Sequence, residues 1–392
     1  MAKATEHNKQ WKTVKLGEYA LIVRGGSPRP IDSYITSDEN GINWIKIGDI
    51  DVNGKYVEKT SEKIIPEGKL YSREVHKGDF ILSNSMSFGR PYILKIDGCI
   101  HDGWLAIQNY EQTFDTNFLF YVLSSDLVKK QYLSMASGST VLNLNKEKVA
   151  QIEIPVPGLS AQRRIAAILA SADKVIAATQ KTIAKYKQIK QGMMEELLNV
   201  QWRKVKLGEV AIIVRGGSPR PIDSYITTEE NGINWIKIGD IDVNGKYVEK
   251  TSEKIIPEGK LYSREVHNGD FILSNSMSFG RPYIVKIDGC IHDGWLAIQN
   301  YEHVFDTDFL FYVLSSDMVK SQYSSMASGS TVLNLNKEKV AQVTIAVPSI
   351  VEQRRISKIL SGIDAKIAAE EKVLEKYEKV KKGLMERLLN GE

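Results

Sequence analysis

The 392-residue chain contains itself twice. Residue n aligned with residue n+191 needs no gap from Trp11 to Asn199, and about 126 of the 140 pairs over residues 11–150 are identical. From Glu39 to His76 the copies do not differ, whereas over 151–199 identity falls to about half. Each unit therefore has a globular part, copied almost without change, and a following segment that kept its pattern and not its residues. A period this long marks a duplicated domain rather than a solenoid, and the length accommodates two cores. Even a recent duplication without further meaning leaves two equal domains that bind two equal things.

The globular part, 11–157, reads as mixed α/β. "INWIKIGDIDV" (42–52) alternates apolar and polar residues as a strand does, and "KGDFILSNS" (77–85), "PYILKIDG" (91–98) and "VAQIEIPVP" (149–157) add further strands. Asn53-Gly54, Asp97-Gly98 and Gly25-Gly26 punctuate them as turns. Residues 115–133 carry helical spacing at Phe118, Tyr121, Val122 and Val128, with Asp115 or Thr116 as N-cap.

After Pro157 the period changes. Ile165, Leu169, Ala172, Ile176, Thr179, Ile183, Tyr186, Lys190, Met193 and Leu197 are spaced alternately by four and three, as are Ile356, Leu360, Ile363, Ile367, Glu370, Leu374, Tyr377, Lys381, Leu384 and Leu388. A heptad stripe predicts a long helix packed as a coiled coil, about 35 residues and roughly 50 Å long at 1.5 Å each. The first helix runs from one domain to the other, and the second buries its stripe by running back. The expected fold is α/β (α+β): two repeated globular domains separated by two long helices in an antiparallel coiled coil, a dumbbell with pseudo-two-fold symmetry. The segments are a loose polar tail (1–10), a first domain (11–157), a central helix (158–199), a second domain (202–348) and a C-terminal helix (349–392). The alternative is that each helix packs on its own domain.

Composition narrows the function. The chain has no apolar run long enough for a membrane span, and its polar start is unlike a signal peptide. The two cysteines, Cys99 and Cys290, are repeat mates, so no disulfide framework exists and a reducing, intracellular compartment is expected. The net charge of +4 permits nucleic-acid binding without requiring it. Signatures of amino methylation, methyl-donor binding and Walker-type nucleotide binding are absent, and no metal-ligand spacing occurs around His76 or His101. "CIHDGW" (99–104) groups Cys, His and Asp, but neighbours on a strand point to opposite faces and form no triad. Asp49, Asp51, Glu67 and Lys69 loosely fit a metal-dependent nuclease pattern, although Pro66 and Gly68 make the second half a turn. A nuclease and a coiled-coil scaffold that binds no DNA stand as the alternative functions.

The chain resembles the specificity subunits of type I restriction-modification systems. "WKTVKLGE" (11–18) resembles the lead-in to a target-recognition domain, "GGSPRP" (25–30) its early Gly-Ser-Pro turn, and "INWIKIGDI" (42–50) and "GDFILSNSMSFGR" (78–90) its next blocks. Most specific are "SGSTVLNLNKEKVAQIEIPVPGLSAQRRIAAIL" (137–169) and its mate at 328–360, which resemble the junction between recognition domain and helix. The resemblance implies a prokaryotic, cytoplasmic, non-catalytic subunit without a cofactor of its own. Its two domains would each read half of a bipartite target in double-stranded DNA. Its helices would act as a ruler and dock two modification (methyltransferase) subunits. S-adenosylmethionine, ATP and Mg would then belong to those subunits and to restriction/translocase subunits.

In such subunits the two domains commonly differ; here they are nearly identical. Identical readers related by a two-fold axis are expected to recognise an inverted repeat. Candidate DNA-binding residues are those suited to bases or phosphate on Gly- and Pro-punctuated loops. In the first copy they are Arg24, Arg29, Tyr34, Lys46, Arg73, Ser83, Asn84, Ser85 and Arg90. Their mates are Arg215, Arg220, Tyr225, Lys237, Arg264, Ser274, Asn275, Ser276 and Arg281. Arg163, Arg164, Arg354 and Arg355 are candidate contacts to partner subunits or solvated helix surface.

Overall fold

The computed structural model describes residues 11–51, 54–84, 89–136, 144–242, 245–275, 280–327 and 335–391. The chain divides into two compact units, one formed by Met1–Gln180 with Val373–Glu392, the other by Lys181–Lys372.

In the first unit β1 (Lys12–Lys15) is followed by β2 (Leu21–Arg24), β3 (Ile35–Thr36), β4 (Ile42–Ile45), β5 (Tyr56–Val57) and β6 (Glu62–Ile64). Then come β7 (Arg73–Val75), β8 (Phe80–Ser83), β9 (Pro91–Leu94), β10 (Gly98–Ile100) and β11 (Trp104–Gln108). Helices α1 (Thr116–Ser124), α2 (Asp126–Ala136) and α3 (Lys146–Ala150) precede β12 (Glu153–Val156) and the 40-residue α4 (Leu159–Leu198). One five-stranded sheet has the order β2-β11-β8-β9-β5 and the other β3-β6-β4-β10-β7, while β1 pairs antiparallel with β12 and ties the start of the domain to its end.

Strand alternation sorts the core into layers. Phe80, Leu82, Leu105 and Ile107 face the helices, together with Phe118, Leu119 and Val122 of α1. Ile81, Tyr92, Trp104 and Ala106 face the opposite way and pack with Ile45, Val75 and Ile100 of the second sheet. That second sheet carries a further small cluster, Trp44, Ile64 and Cys99. Its outer loops are thus two sheet layers away from the helices.

Local chemistry accounts for where the sequence expectations hold and where they shift. Asp115 is the N-cap of α1, its carboxylate accepting from the Asn117 and Phe118 amides at 3.0 Å each. The expected helix over 115–133 is two helices. Ser125 turns extended between them, its hydroxyl donating to the Val122 carbonyl at 2.6 Å. The strand expected over 42–52 stops at Ile45, because residues 47–49 form a helical turn capped by the Asp49 carboxylate.

Within each unit the two long helices, α4 and Ile350–Leu389, contribute segments that run in opposite directions. In the first unit Asp173 pairs with Lys381 at 2.5 Å, and Ile165 and Leu169 share a core with Leu389. In the second, Lys190 pairs with Asp364 at 2.6 Å and Lys187 with Glu371 at 2.8 Å, and Met194 and Leu198 share a core with Ile356 and Leu360. Each helix therefore begins in the core of its own repeat and ends in the core of the other, combining the two arrangements weighed from sequence.

Of the seam residues, Ile165, Leu169, Ile183, Ile356, Leu360 and Ile367 are buried. Ile176, Tyr186, Met193, Leu197, Ile363, Leu374, Leu384 and Leu388 are half-buried. Two corrections follow. At the C-terminal ends the buried residues are Met194, Leu198 and Leu389, one position past the heptad, because these turns pack into a core shared by the globular domain and the facing helix rather than on a facing helix alone. Tyr377 is 39% exposed, on a solvated stretch where Lys379 reaches back to Glu375.

The junction motif has its own role. Gln162 is fully buried at the start of α4, its Oε1 accepting from the Asp115 amide at 2.8 Å and its Nε2 donating to the Thr113 and Pro157 carbonyls at 2.9 Å each. Gln353 repeats this with the Asp306 amide and the Val304 and Pro348 carbonyls. One side chain thus fixes helix, loop and N-cap to one another.

Candidate nucleic-acid interface

The Gly-Gly-Ser-Pro-Arg-Pro loop lies against the turn of "CIHDGW". The Gly25 amide donates to the Trp104 carbonyl at 2.9 Å and the Gly26 amide to the Ile100 carbonyl at 3.2 Å. A Cβ on Gly25 would sit 2.0 Å from the His101 carbonyl oxygen, and one on Gly26 2.8 Å from that of Tyr71. The two glycines are therefore required for close approach, and the cis Arg29–Pro30 peptide shapes the end of the loop.

Asp102 is the hub of this contact. Its carboxylate accepts from the Ser27 hydroxyl at 3.0 Å and pairs with Arg29 Nη2 at 3.2 Å. Its carbonyl accepts from Arg24 Nε and from Asn84 Nδ2, each at 3.2 Å. Arg73 Nε donates in turn to the Arg24 carbonyl at 3.3 Å. Two strands and the loops between them thereby converge three arginines on one exposed surface, with the Arg29 side chain 81% exposed.

Burial acts to raise the Asp102 carboxyl, but the Ser27 hydroxyl, His101 and Arg29 outweigh it and hold it below the usual carboxylate range. His101 is pushed down, chiefly by burial, against the pull of Asp102. Its Nδ1 accepts from the Gly103 amide at 2.8 Å, a bond open only to the neutral ring. At neutral pH the hub thus has a fixed anion, a neutral histidine and arginines held as donors.

The second copy repeats the hub. Asp293 accepts from Ser218 at 3.0 Å and pairs with Arg220 at 3.3 Å, while its carbonyl takes Arg215 Nε at 3.2 Å and Asn275 Nδ2 at 3.1 Å. Arg264 opens the strand equivalent to β7.

The other candidates divide. Tyr34 and Tyr225 stand edge-on to Tyr71 and Tyr262, with ring centroids 5.9 Å apart, beside the hub. Lys46 and Lys237 are drawn to Glu62 and Glu253 at 2.5 and 2.6 Å. Arg90 lines a cleft of about 1590 Å3 with Lys55, Lys129 and Lys381, to which no hub residue contributes, and Arg281 holds the matching Gly245 carbonyl. Ser83 and Ser274 are corrections: each is 1% exposed at the end of a wholly buried strand and cannot reach DNA. Asn84 and Asn275 are also buried and act by holding the hub carbonyl. Ser85 and Ser276 lie outside the described residues. Sequence reasoning passed over Asp102 and Ser27. "CIHDGW" was tested for catalysis and set aside, although a polar His-Asp-Gly turn between two apolar strands was the available signal.

The nuclease constellation does not assemble. Both Asp49 oxygens are taken by backbone amides, of Lys46 and Ser61 at 2.9 Å each, and Lys69 is held by Glu74 at 2.6 Å. Among the described residues no group of three or more His, Cys, Asp or Glu is placed to hold a metal. Cys99 and Cys290 are buried, and burial raises both thiols.

Against this geometry, the family described as type I restriction modification DNA specificity domain matches residues 8–189 and again 199–379. The chain belongs to this family. The specificity family is the non-catalytic, DNA-recognising component of type I systems. The type I restriction enzyme MjaVIII specificity subunit of Methanocaldococcus jannaschii is 26% identical over 416 residues, covering 97% of this chain and 92% of the relative. The EcoDI specificity subunit of Escherichia coli is 20% identical over 385 residues, covering 88% and 79%. A chain solved in a study of complex assembly and conformational transition of the type I system aligns with a TM-score of 0.66 at 20% identity, covering 97% and 98%. The S subunit from M. genitalium aligns with a TM-score of 0.57 at 15% identity, covering 99% and 98%. These likenesses establish the fold. No helix among the described residues is long and apolar enough to cross a membrane.

Proposed function

We propose that this specificity subunit reads an inverted-repeat DNA target, with one copy of a single half-site for each repeat. The observation that carries the reading is the duplicated hub: Asp102 and Asp293 gather the same partners at distances that agree within 0.1 Å. Identical donors in identical frames read identical bases. Identical readers related by a two-fold axis would meet the two strands in opposite directions, so the two copies of the half-site are expected to be inverted.

In this reading 11–157 and 202–348 are the recognition domains, and 158–199 and 349–392 set the distance between them and dock two modification subunits. Restriction subunits join that assembly, which works on DNA in the prokaryotic cytoplasm. Arg24, Arg29 and Arg73, with Arg215, Arg220 and Arg264, supply guanine and phosphate contacts. The test is selection of duplexes from a random pool by the assembled subunit with its modification partners. The expected winners carry one short sequence and its inverted copy at fixed spacing; winners with two unrelated halves overturn the reading.

A further inference from the structure

Beside the hub stands a pair of exposed apolar side chains. Leu70 is 82% exposed and Tyr71 59%; their mates Leu261 and Tyr262 are 83% and 58% exposed. Single exposed leucines are common on protein surfaces, but this tip is built to hold its shape. Pro66 opens a short helical turn, Pro66–Tyr71, and Gly68 is buried beneath it against Ile64 and Tyr34. Lys69 is clamped to Glu74 at 2.6 Å, the Ser72 hydroxyl to the Ile100 carbonyl at 3.0 Å, and the Tyr71 ring stands edge-on to Tyr34. The second copy repeats the clamps, Lys260 to Glu265 at 2.7 Å and Ser263 to Ile291 at 2.9 Å.

Three observations name the occupant. The tip is continuous with the arginine hub: the Tyr71 carbonyl lies against Gly26, and Arg73, two residues on, holds the Arg24 carbonyl. It belongs to the outer sheet, two layers from the helices. And it is invariant between the repeats, inside the identical stretch 39–76 that also keeps the exposed Tyr56 as Tyr247, whereas exposed apolar residues outside that stretch changed: Leu21 became Ile212, Leu127 Met318 and Leu133 Ser324. A surface that serves an asymmetric partner is free to diverge; one that meets the same half-site twice is not.

We propose that Leu70 and Leu261 are DNA-inserting side chains, each entering its half-site beside the arginines and parting one base step while the adjacent tyrosine packs on the exposed edge. A fixed apolar wedge flanked by cationic donors is the combination that unstacks and kinks a duplex. This rests on the DNA-reading function above. The test uses the chain assembled with its modification subunits and cognate duplexes in which 2-aminopurine replaces one base at a time, outside the base that becomes methylated. The wild type is expected to raise fluorescence at one step in each half-site. Leu70→Ala with Leu261→Ala is expected to abolish that rise and to weaken cognate binding by about tenfold or more, while Leu70→Met with Leu261→Met retains it. Unchanged thermal unfolding of the alanine variant, expected for a residue this exposed, separates the effect from misfolding. A rise that persists in the alanine variant, a wild-type complex that binds its target with no unstacked step, or loss of the modification subunits from the variant complex overturns the proposal. Failure of the wild type to prefer any sequence would instead refute the DNA-reading function itself.

Discussion

Replacing Gln162 by alanine removes the side chain that fixes α4 to the first recognition domain. Three hydrogen bonds go with it, to the Asp115 amide and the Thr113 and Pro157 carbonyls. All are neutral and the glutamine is fully buried, so each contributes about 1 kcal/mol and the sum is about 3 kcal/mol. Water entering the vacated space reduces that figure, and the amide left at Asp115 increases it. Hydrogen exchange reads the loss locally: about 3 kcal/mol corresponds to about 100-fold faster exchange in a peptide spanning 113–118. Its duplicate supplies the control. Gln353→Ala breaks the matching bonds to Asp306, Val304 and Pro348, so it is expected to act equally on 304–309 and to leave 113–118 unchanged. Acceleration below about threefold at both sites would show that the glutamines are bystanders and that the helices are anchored by apolar packing alone.

Asp102→Asn with Asp293→Asn releases Arg29 and Arg220 from their anions. The pairs are exposed, so stability is expected to change by about 1 kcal/mol or less for each. Specificity suffers more: ordering a freed arginine on DNA costs about 1 kcal/mol per half-site, and removing two anions favours any phosphate backbone. The ratio of cognate to scrambled affinity, measured by anisotropy at one salt concentration, is expected to fall about 30-fold for the pair of changes; an unchanged ratio would count against the hub. Acid acts through His101 and His292. Burial lowers their pKa in the fold, and the unfolded chain takes up protons near the ordinary value of about 6.5. Their contribution to stability is therefore complete above about pH 6.5 and is lost as the pH falls below it. Asp102, held low, keeps its own contribution until far more acid pH. Thermal unfolding between pH 7.5 and 5.5 is expected to show the decline, and His101→Gln with His292→Gln to flatten it.

Much of this was legible in the sequence because it is periodic or local. The 191-residue offset fixed the duplication, the heptad stripe fixed two long helices, and Asp115 advertised an N-cap. What escaped depends on contacts between residues distant in the chain. Asp102 meets Ser27 and Arg29 from more than seventy residues away, and nothing near Asp102 hints at them. Gln162 reads as one more polar residue beside two arginines until its three backbone partners are seen. The seam slips by one residue at Met194, Leu198 and Leu389 because a heptad describes a helix facing only a helix, and those turns pack against a globular domain as well as the facing helix. Ser83 was misread because a serine at a strand end is as apt to be buried as exposed.

The central claim is that one DNA word is read twice in opposite senses. The most direct measurement is a genome-wide map of methylated bases in cells carrying this subunit with its modification partners, compared with cells lacking it. The account predicts a single motif whose two halves are the same sequence in inverted orientation across a fixed spacer. Two different half-sequences, or the same half repeated in the direct orientation, would contradict it.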